Sequence, residues 1–590
     1  MKALASIPTI CFALILTSSV FAAPGLMNYQ GRLTDNEGKP VTTPVDLTFT
    51  FWNAETGGSQ LGSGFNDTDT VTPSAAGVYS TMIGDDPGYL IPSSVFTGDS
   101  VWLNVNVGGE DLSPRKRITS VGYAMQAGGA SDVRRIIQDF VVEDGQSVTA
   151  GDVVGFVSGK VMPFGKTDTG NEHFFHSGGT SFHAAAALTD TEFVMVYRDE
   201  DNGGYGTAVV GTINDLTINW GQPVVFYSSP VNFLGITALS ESLFVIAFQS
   251  GLNPWYGRAI VGNYSSTREL SFEKISTFNE AQTENISITA LVDKNFALAY
   301  TDVGESSYGK VRCGTVGRMQ ISWRDPTTCI ADETAVSSIA GLEEDRFVVC
   351  FSVGSFFFNV DVKAARDGPD GPLYSPACRI TDGTIEEQVS LAALTGDRFV
   401  VSYLEHEECY ARVGIASPKN ITLGPEIHMA PSPSVSIYCT ALSENRVLFT
   451  YNDQEHFNGH GTGIVATISD QRIFLEPKFV FKQYNCRFSR PLRMTESNFV
   501  IHYIDLVNTD YGVAVAGKTS SSLLGVADSD GIGGDTVPVI LRGISTRHSG
   551  LCPGKRYYAG GNGSLDGDPD TFPVGMALSE TNLLLDNVRP

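Results

Sequence analysis

Apolar and polar positions through the middle of the chain fall into short runs rather than helical stripes. Phe193-Val-Met-Val-Tyr197, Phe244-Val-Ile-Ala-Phe248 and Phe399-Val-Val-Ser-Tyr403 are apolar runs bounded by turn residues, which reads as β-strand. Runs of this kind follow an Ala-Leu pair and a polar turn such as Ser240-Glu-Ser, Glu343-Glu-Asp or Ser443-Glu-Asn. A third strand comes after a polar loop and often opens with Tyr-Gly, at Tyr205-Gly206, Tyr256-Gly257, Tyr308-Gly309 and Tyr511-Gly512. A fourth is short and apolar, as in Val224-Val-Phe-Tyr227 and Phe479-Val-Phe481. No part of the repeat carries a convincing helical period, so the chain is expected to be all-β.

Self-similarity supplies the period. The leucine of Ala-Leu, or its equivalent, stands at 188, 239, 291, 342, 394, 442 and 494, giving steps of 51, 52, 51, 52, 48 and 52 residues. Four antiparallel strands in roughly 50 residues is the pattern of a propeller blade. Residues 171–518 are therefore expected to form a seven-bladed β-propeller. In the seventh unit no fourth strand follows Tyr511-Gly-Val-Ala-Val-Ala516, while Glu172-His-Phe-Phe-His-Ser177 stands ahead of the first unit with no blade of its own. A ring in which that early strand completes the last blade removes both exposed sheet edges.

The flanks read as β structure too. Residues 23–127 contain the alternating segments Leu47-Thr-Phe-Thr-Phe-Trp52 and Val101-Trp-Leu-Asn-Val-Asn-Val107 between Gly-rich turns, which predicts an N-terminal β-sandwich. Ala127-Gly-Gly-Ala-Ser131 begins a linker, taken as 128–141. A closed ring brings its two chain ends together, so it can stand as an insertion within another domain without tearing it apart.

Three resemblances accompany these readings. Phe193-Val-Met-Val-Tyr-Arg-Asp199 through Tyr205-Gly-Thr-Ala-Val-Val-Gly211 resembles a bacterial secreted repeat family with the pattern FVVAYRD…N…YGTAIVG, which implies a propeller-like binding scaffold. The fourth unit departs from it, with Ser352-Val-Gly-Ser-Phe-Phe-Phe358 in place of the polar loop. Asn28-Tyr-Gln-Gly-Arg-Leu-Thr-Asp35 with Ser113-Pro-Arg-Lys-Arg-Ile118 is similar to a module that opens many secreted or fibre-like bacterial proteins, implying a structural or adhesive role. Val142-Glu-Asp-Gly-Gln-Ser-Val-Thr-Ala-Gly-Asp with Val537-Pro-Val-Ile-Leu-Arg-Gly-Ile544 resembles phage capsid-decoration domains, which implies that 142–165 and 523–590 are two halves of one small β domain with the propeller inserted between them.

Charge narrows the partners. Thirty-nine Lys and Arg against 65 Asp and Glu give a net charge of −26, the wrong sign for nucleic acid or an anionic membrane. Met1-Lys2, a short apolar run, and Val20 and Ala22 ahead of a cleavage point mark residues 1–22 as a secretory signal peptide, placing the chain outside the cell or on its surface. No later segment is apolar for long enough to span a membrane. Eight cysteines remain after Cys11 leaves with the leader, and an even number in an oxidising compartment permits disulfides, their pairing left open. Cys350, within an apolar strand, fits a buried free thiol equally well.

Candidate chemistry is limited. The loop after each aromatic-ended strand is rich in acids, notably Asp199, Glu200, Asp201, Asp302, Glu405, Asp453 and Asp505. Equivalent positions on a ring place these on one face, which could bind Ca²⁺ or a basic partner; a solvated acidic surface accounts for them as well. No cofactor beyond Ca²⁺ is suggested. The chain has no Gly-x-Ser-x-Gly elbow, His-Glu-x-x-His pair, phosphate loop or dinucleotide fingerprint, so no catalytic residue is named. The expected function is noncatalytic recognition, adhesion or surface structure, with a glycan or protein ligand. The alternative is a carbohydrate-active enzyme using acids of the propeller face. The flanking resemblances also imply a homo-oligomer or fibre subunit.

Overall fold

The computed structural model describes residues 27–585 except 36–37, 86–89, 97–99, 119–134, 355–358, 382–384, 418, 431–433, 455–458, 521–522 and 568–571. The expected signal peptide, residues 1–22, and the start of the expected linker lie outside the described residues, as do residues 355–358 of the divergent stretch in the fourth unit. Apart from short 3-10 turns, the described regular elements are strands, and the chain is all-β. It divides into two compact units, Met1–Arg134 and Arg135–Pro590.

In the first unit Val45–Trp52 pairs with Asp67–Val71 on one side and Trp102–Val107 on the other, and Met27–Arg32 pairs separately with Val78–Ile83. Alternation along Val45–Trp52 turns Leu47, Phe49 and Phe51 inward, and they join Tyr79, Ile83, Leu103 and Val105 in one core.

The second unit begins with a departure from the sequence reading. The C-terminal part of the stretch taken as linker is a strand, Ile136–Val141, paired with Thr536–Arg542. Ile-Ile-Gln-Asp-Phe-Val has strong β-formers, and its partner lies some four hundred residues away, beyond the reach of local pattern. Val153–Val157 likewise pairs with Leu523–Ala527. Segments on either side of the repeats thus share one sheet, with Val142, Val154, Val161, Val537 and Val539 in its core. This sheet is tied to the repeats by Lys518, whose Nζ lies 2.9 Å from both Glu143 and Asp215.

Each repeat builds an antiparallel sheet around its second strand. Leu243–Ser250 is buried at all eight positions, and pairs with Val224–Ala238 before it and Tyr256–Tyr264 after it. Burial on both faces explains why these strands read as unbroken apolar runs. Fifteen-residue strands such as Val224–Ala238 and Ser276–Ala290 serve twice: the first half is the fourth strand of one sheet and the second half is the first strand of the next.

Two ring-on-glycine contacts account for the most regular residues of the repeat. The ring of Phe193, opening a second strand, lies so close to Gly211 on the third that an added Cβ would stand 2.4 Å from it. The glycine of Tyr-Gly receives a phenylalanine of the fourth strand in the same way, Phe226 against Gly206 with a Cβ distance of 2.5 Å. Gly512 in the last unit makes this contact with Phe175, which precedes the first unit. There His173–Ala187 pairs with Tyr511–Thr519, Phe174 opposite Val513. Lys482 joins the same junction, 2.8 Å from Glu172 and 2.9 Å from Asp505, and the Tyr503 hydroxyl donates to Glu172 at 3.0 Å.

The eight cysteines among the described residues stand as free thiols, six of them buried. Burial pushes the Cys329 thiol up to about 12 and the Cys439 thiol up to about 11, so both stay protonated.

Candidate functional site

The first strands of all the repeat units carry the same irregularity. Pairing with the second strand slips between Ser181 and Ala184, Asn232 and Gly235, Glu284 and Ser287, Thr334 and Ser337, Glu386 and Val389, Val435 and Tyr438, and Arg487 and Arg490. Such a bulge leaves residues outside the ladder and re-aims their side chains. These bulges converge on one cavity of about 520 Å³, within the range of small-ligand pockets.

The backbone at the bulges is unusual. Phe182, Phe233, Asn285, Ser436 and Phe488 have φ of 44°, 48°, 52°, 61° and 56°. Glycine or asparagine adopts this left-handed conformation readily, whereas a phenylalanine there costs about 1–2 kcal/mol. Phenylalanine at three such positions is therefore present for its side chain rather than for its backbone. Phe182 and Phe488 are each 37% exposed, and the rings of Phe182 and Phe233 lie 5.3 Å apart. An aromatic edge thus borders the cavity on the side of the seventh, first and second units.

The rest of the wall mixes the aliphatic side chains of Leu234, Ile286, Ala335 and Val389 with polar and cationic groups. Gln388, Asn285, Ser181 and Ser337 contribute amides and hydroxyls. Arg490 packs its guanidinium 5.1 Å above the ring of Tyr438 and donates to the His183 carbonyl at 3.0 Å. Arg487 reaches Asp510 at 3.3 Å. Beneath the wall, His183 and His502 bring their Nδ1 atoms to 2.7 Å, one ring donating and the other accepting. Burial, assisted by the charge of Arg490, drives both imidazoles down, His502 to about 3, so the pair is neutral near pH 7.

The acids singled out from sequence occupy the ends of second strands or, for Glu200 and Asp201, the 3-10 turn that follows, and most of them are engaged by neighbouring groups. Asp199 accepts from the Asn202 N–H at 3.1 Å and lies 3.3 Å from His176, while Glu200 pairs with Arg198 at 2.9 Å. Asp201 beside them is largely exposed. Asp302 is buried against Lys310 at 2.7 Å, and Glu405 accepts from Thr381 at 3.1 Å. Asp453 closes a ladder opposite His460. Asp505 is buried; desolvation works to raise its pKa, but Lys482, the Val507 N–H and Asn508 outweigh it and hold the carboxyl low. Asp199, Glu200 and Asp201 are brought together, while the other four stand one to a unit. Asp67, Asp69 and Asp85 in the first unit are a carboxylate group that the sequence reading did not single out, with oxygens within 4.8 Å of one another.

The bulge residues also escaped the sequence reading, although a signal exists. Phe182, Phe233, Asn285, Val336, Gln388, Ser436 and Phe488 each stand six residues before the leucine-equivalent position of their unit. Constant spacing with varied residue type is what a shared scaffold carrying a specialised wall requires.

Among known proteins, a family described as a domain of unknown function (DUF8740) matches residues 28–115. No curated protein matches the chain. Solved structures with some likeness include the BP39L lectin from Burkholderia pseudomallei, at 9% identity and a TM-score of 0.45, covering 59% of this chain and 97% of that one. A Dyadobacter fermentans protein of unknown function gives 11% and 0.36 over 60% of this chain and 99% of its own. A mutant of the NanB sialidase from Streptococcus pneumoniae gives 8% and 0.35 over 84% and 98%.

Proposed function

We propose that the chain is a secreted, noncatalytic recognition protein of the cell surface or its surroundings. Its binding site is the cavity ringed by the first-strand bulges of a seven-bladed β-propeller, and that propeller is inserted in the split β domain. The observation that carries the binding reading is the set Phe182, Phe233 and Phe488, held at positive φ and turned to the cavity edge. Strained backbone maintained at equivalent positions is the mark of a site whose side chains matter more than local stability. Ring closure is supported by Phe175 filling the place at Gly512 that Phe226 fills at Gly206, and by contact of Arg490 in the last unit with His183 in the first. Hydrolysis of a sugar by paired acids needs two carboxylates facing one cavity. The described residues lining this one offer rings, amides, hydroxyls and guanidinium groups, which suit binding.

The test is a glycan array probed with the intact chain and with Phe182→Ala and Phe488→Ala variants, followed by product analysis of whatever binds. Binding without turnover, weakened at least about tenfold in the variants, is the expected outcome. Turnover of the bound sugar contradicts the noncatalytic reading, and unchanged binding by both variants removes the site from the cavity.

A further inference from the structure

The cavity wall is not symmetric, and its asymmetry is one of charge. At the position of Ala184 and Gly235 in the first two units, the last unit has Arg490 and the sixth has Tyr438. Where the first two units have Ser181 and Asn232, the last has Arg487. Two guanidinium groups therefore flank Phe488 on one wall of a cavity in a protein of net charge −26.

These groups are poised rather than saturated. Arg490 is fixed by Tyr438 and gives one terminal nitrogen to the His183 carbonyl, Arg487 gives one to Asp510, and both side chains line the cavity. A guanidinium carries five N–H donors in a planar fork suited to two carboxylate oxygens. Adjoining this wall are Phe182 and Phe233, whose neighbouring rings offer an apolar surface to a flat ligand face.

We propose that the cavity takes a carboxylate carried on a six-membered ring, the carboxylate at Arg490 and Arg487 and the ring against Phe182 and Phe233. This rests on the binding role proposed above for the same cavity and names its ligand class. Two sources supply this chemistry, an acidic sugar and an aromatic acid. A carboxylate is favoured over a phosphate because the fixed donors belong to one planar fork, with Arg487 already shared with Asp510.

The experiment is titration calorimetry on the full chain with trigalacturonate, its methyl ester, benzoate and inorganic phosphate. The ester keeps the rings and removes the charge. Binding of the acid at least about tenfold tighter than the ester, lost in Arg490→Met and reduced in Arg487→Gln, is the expected result. Arg490→Lys, which keeps the charge but not the fork, and the unfolding midpoint of each variant separate loss of recognition from loss of fold. Preference for trigalacturonate or for benzoate assigns the source. Equal binding of acid and ester, both abolished by Phe182→Ala, overturns the charge assignment while leaving the cavity as a binding site. Phosphate binding as tightly as either carboxylate, no carboxylate bound at about 10 mM, or acid binding unchanged in a folded Arg490→Met also overturns it.

Discussion

Removing the ring of Phe175 tests whether the strand ahead of the repeats is a structural member of the last sheet. Phe175 is 6% exposed and packs against Tyr197 at 5.3 Å and Trp220 at 5.9 Å, over the bare backbone of Gly512. Its counterpart Phe226, in the middle of the chain, is also 6% exposed and meets Phe248 at 5.5 Å and Phe272 at 5.8 Å over Gly206. Truncating a buried phenylalanine to alanine costs about 3–5 kcal/mol, from lost transfer energy and from the cavity left behind. If the two rings hold equivalent places, Phe175→Ala and Phe226→Ala destabilise by amounts within about 1 kcal/mol of each other. Guanidinium unfolding followed by tryptophan fluorescence measures both, and amide exchange along Tyr511–Thr519 shows whether the last sheet opens first in Phe175→Ala. A cost below about 1 kcal/mol for Phe175→Ala, with the full cost for Phe226→Ala, would show the early strand to be a loosely held appendage and refute the equivalence.

Other consequences are equally direct. Gly211→Val drives new carbons into the Phe193 ring and should cost about 1–3 kcal/mol in chemical unfolding, whereas Gly317→Ala, with no atom within 4 Å of the added Cβ, should be nearly neutral. The folded-state pKa of His502 is held at about 3, below the ordinary 6.5 of the unfolded chain, by burial and by Arg490. Its contribution to stability is thus complete above pH 6.5 and falls as pH drops from there toward 3, by up to about 1.4 kcal/mol per pH unit; His502→Phe should flatten that part of the pH–stability curve relative to the parent protein. A thiol-reactive dye should label Cys552 at once and Cys378 more slowly, with the remaining six thiols reacting only in denaturant; rapid labelling of buried Cys350 in the native protein would contradict the packing.

What could be read in advance follows from how locally each feature is encoded. The second strands were legible because burial on both faces leaves a continuous apolar run, and Phe193–Tyr197 lies within Glu192–Asp199. The strand Ile136–Val141 was lost in a linker because its partner, Thr536–Arg542, is remote in sequence. Acids were visible as charge but not as partners: nothing near Asp302 or Asp505 announces that each is matched by a lysine, Lys310 on the paired strand and Lys482 from the sheet of the preceding unit. The bulges were missed for a different reason. A positive φ is usually flagged by glycine or asparagine, and at Phe182, Phe233 and Phe488 the residue contradicts the conformation. The free thiols follow the same logic, since each buried cysteine fills a strand position whose neighbours are chosen by packing.

The most direct test of the central claim is a crystal structure of the protein with the ligand selected on the array. Electron density seated among Phe182, Phe233 and Tyr438, with the wall of Arg490 beside it, is the result that the bulge geometry predicts. A ligand resting on the outer acidic loops around Asp201, or on the N-terminal unit, with the bulge cavity holding only water, would contradict it.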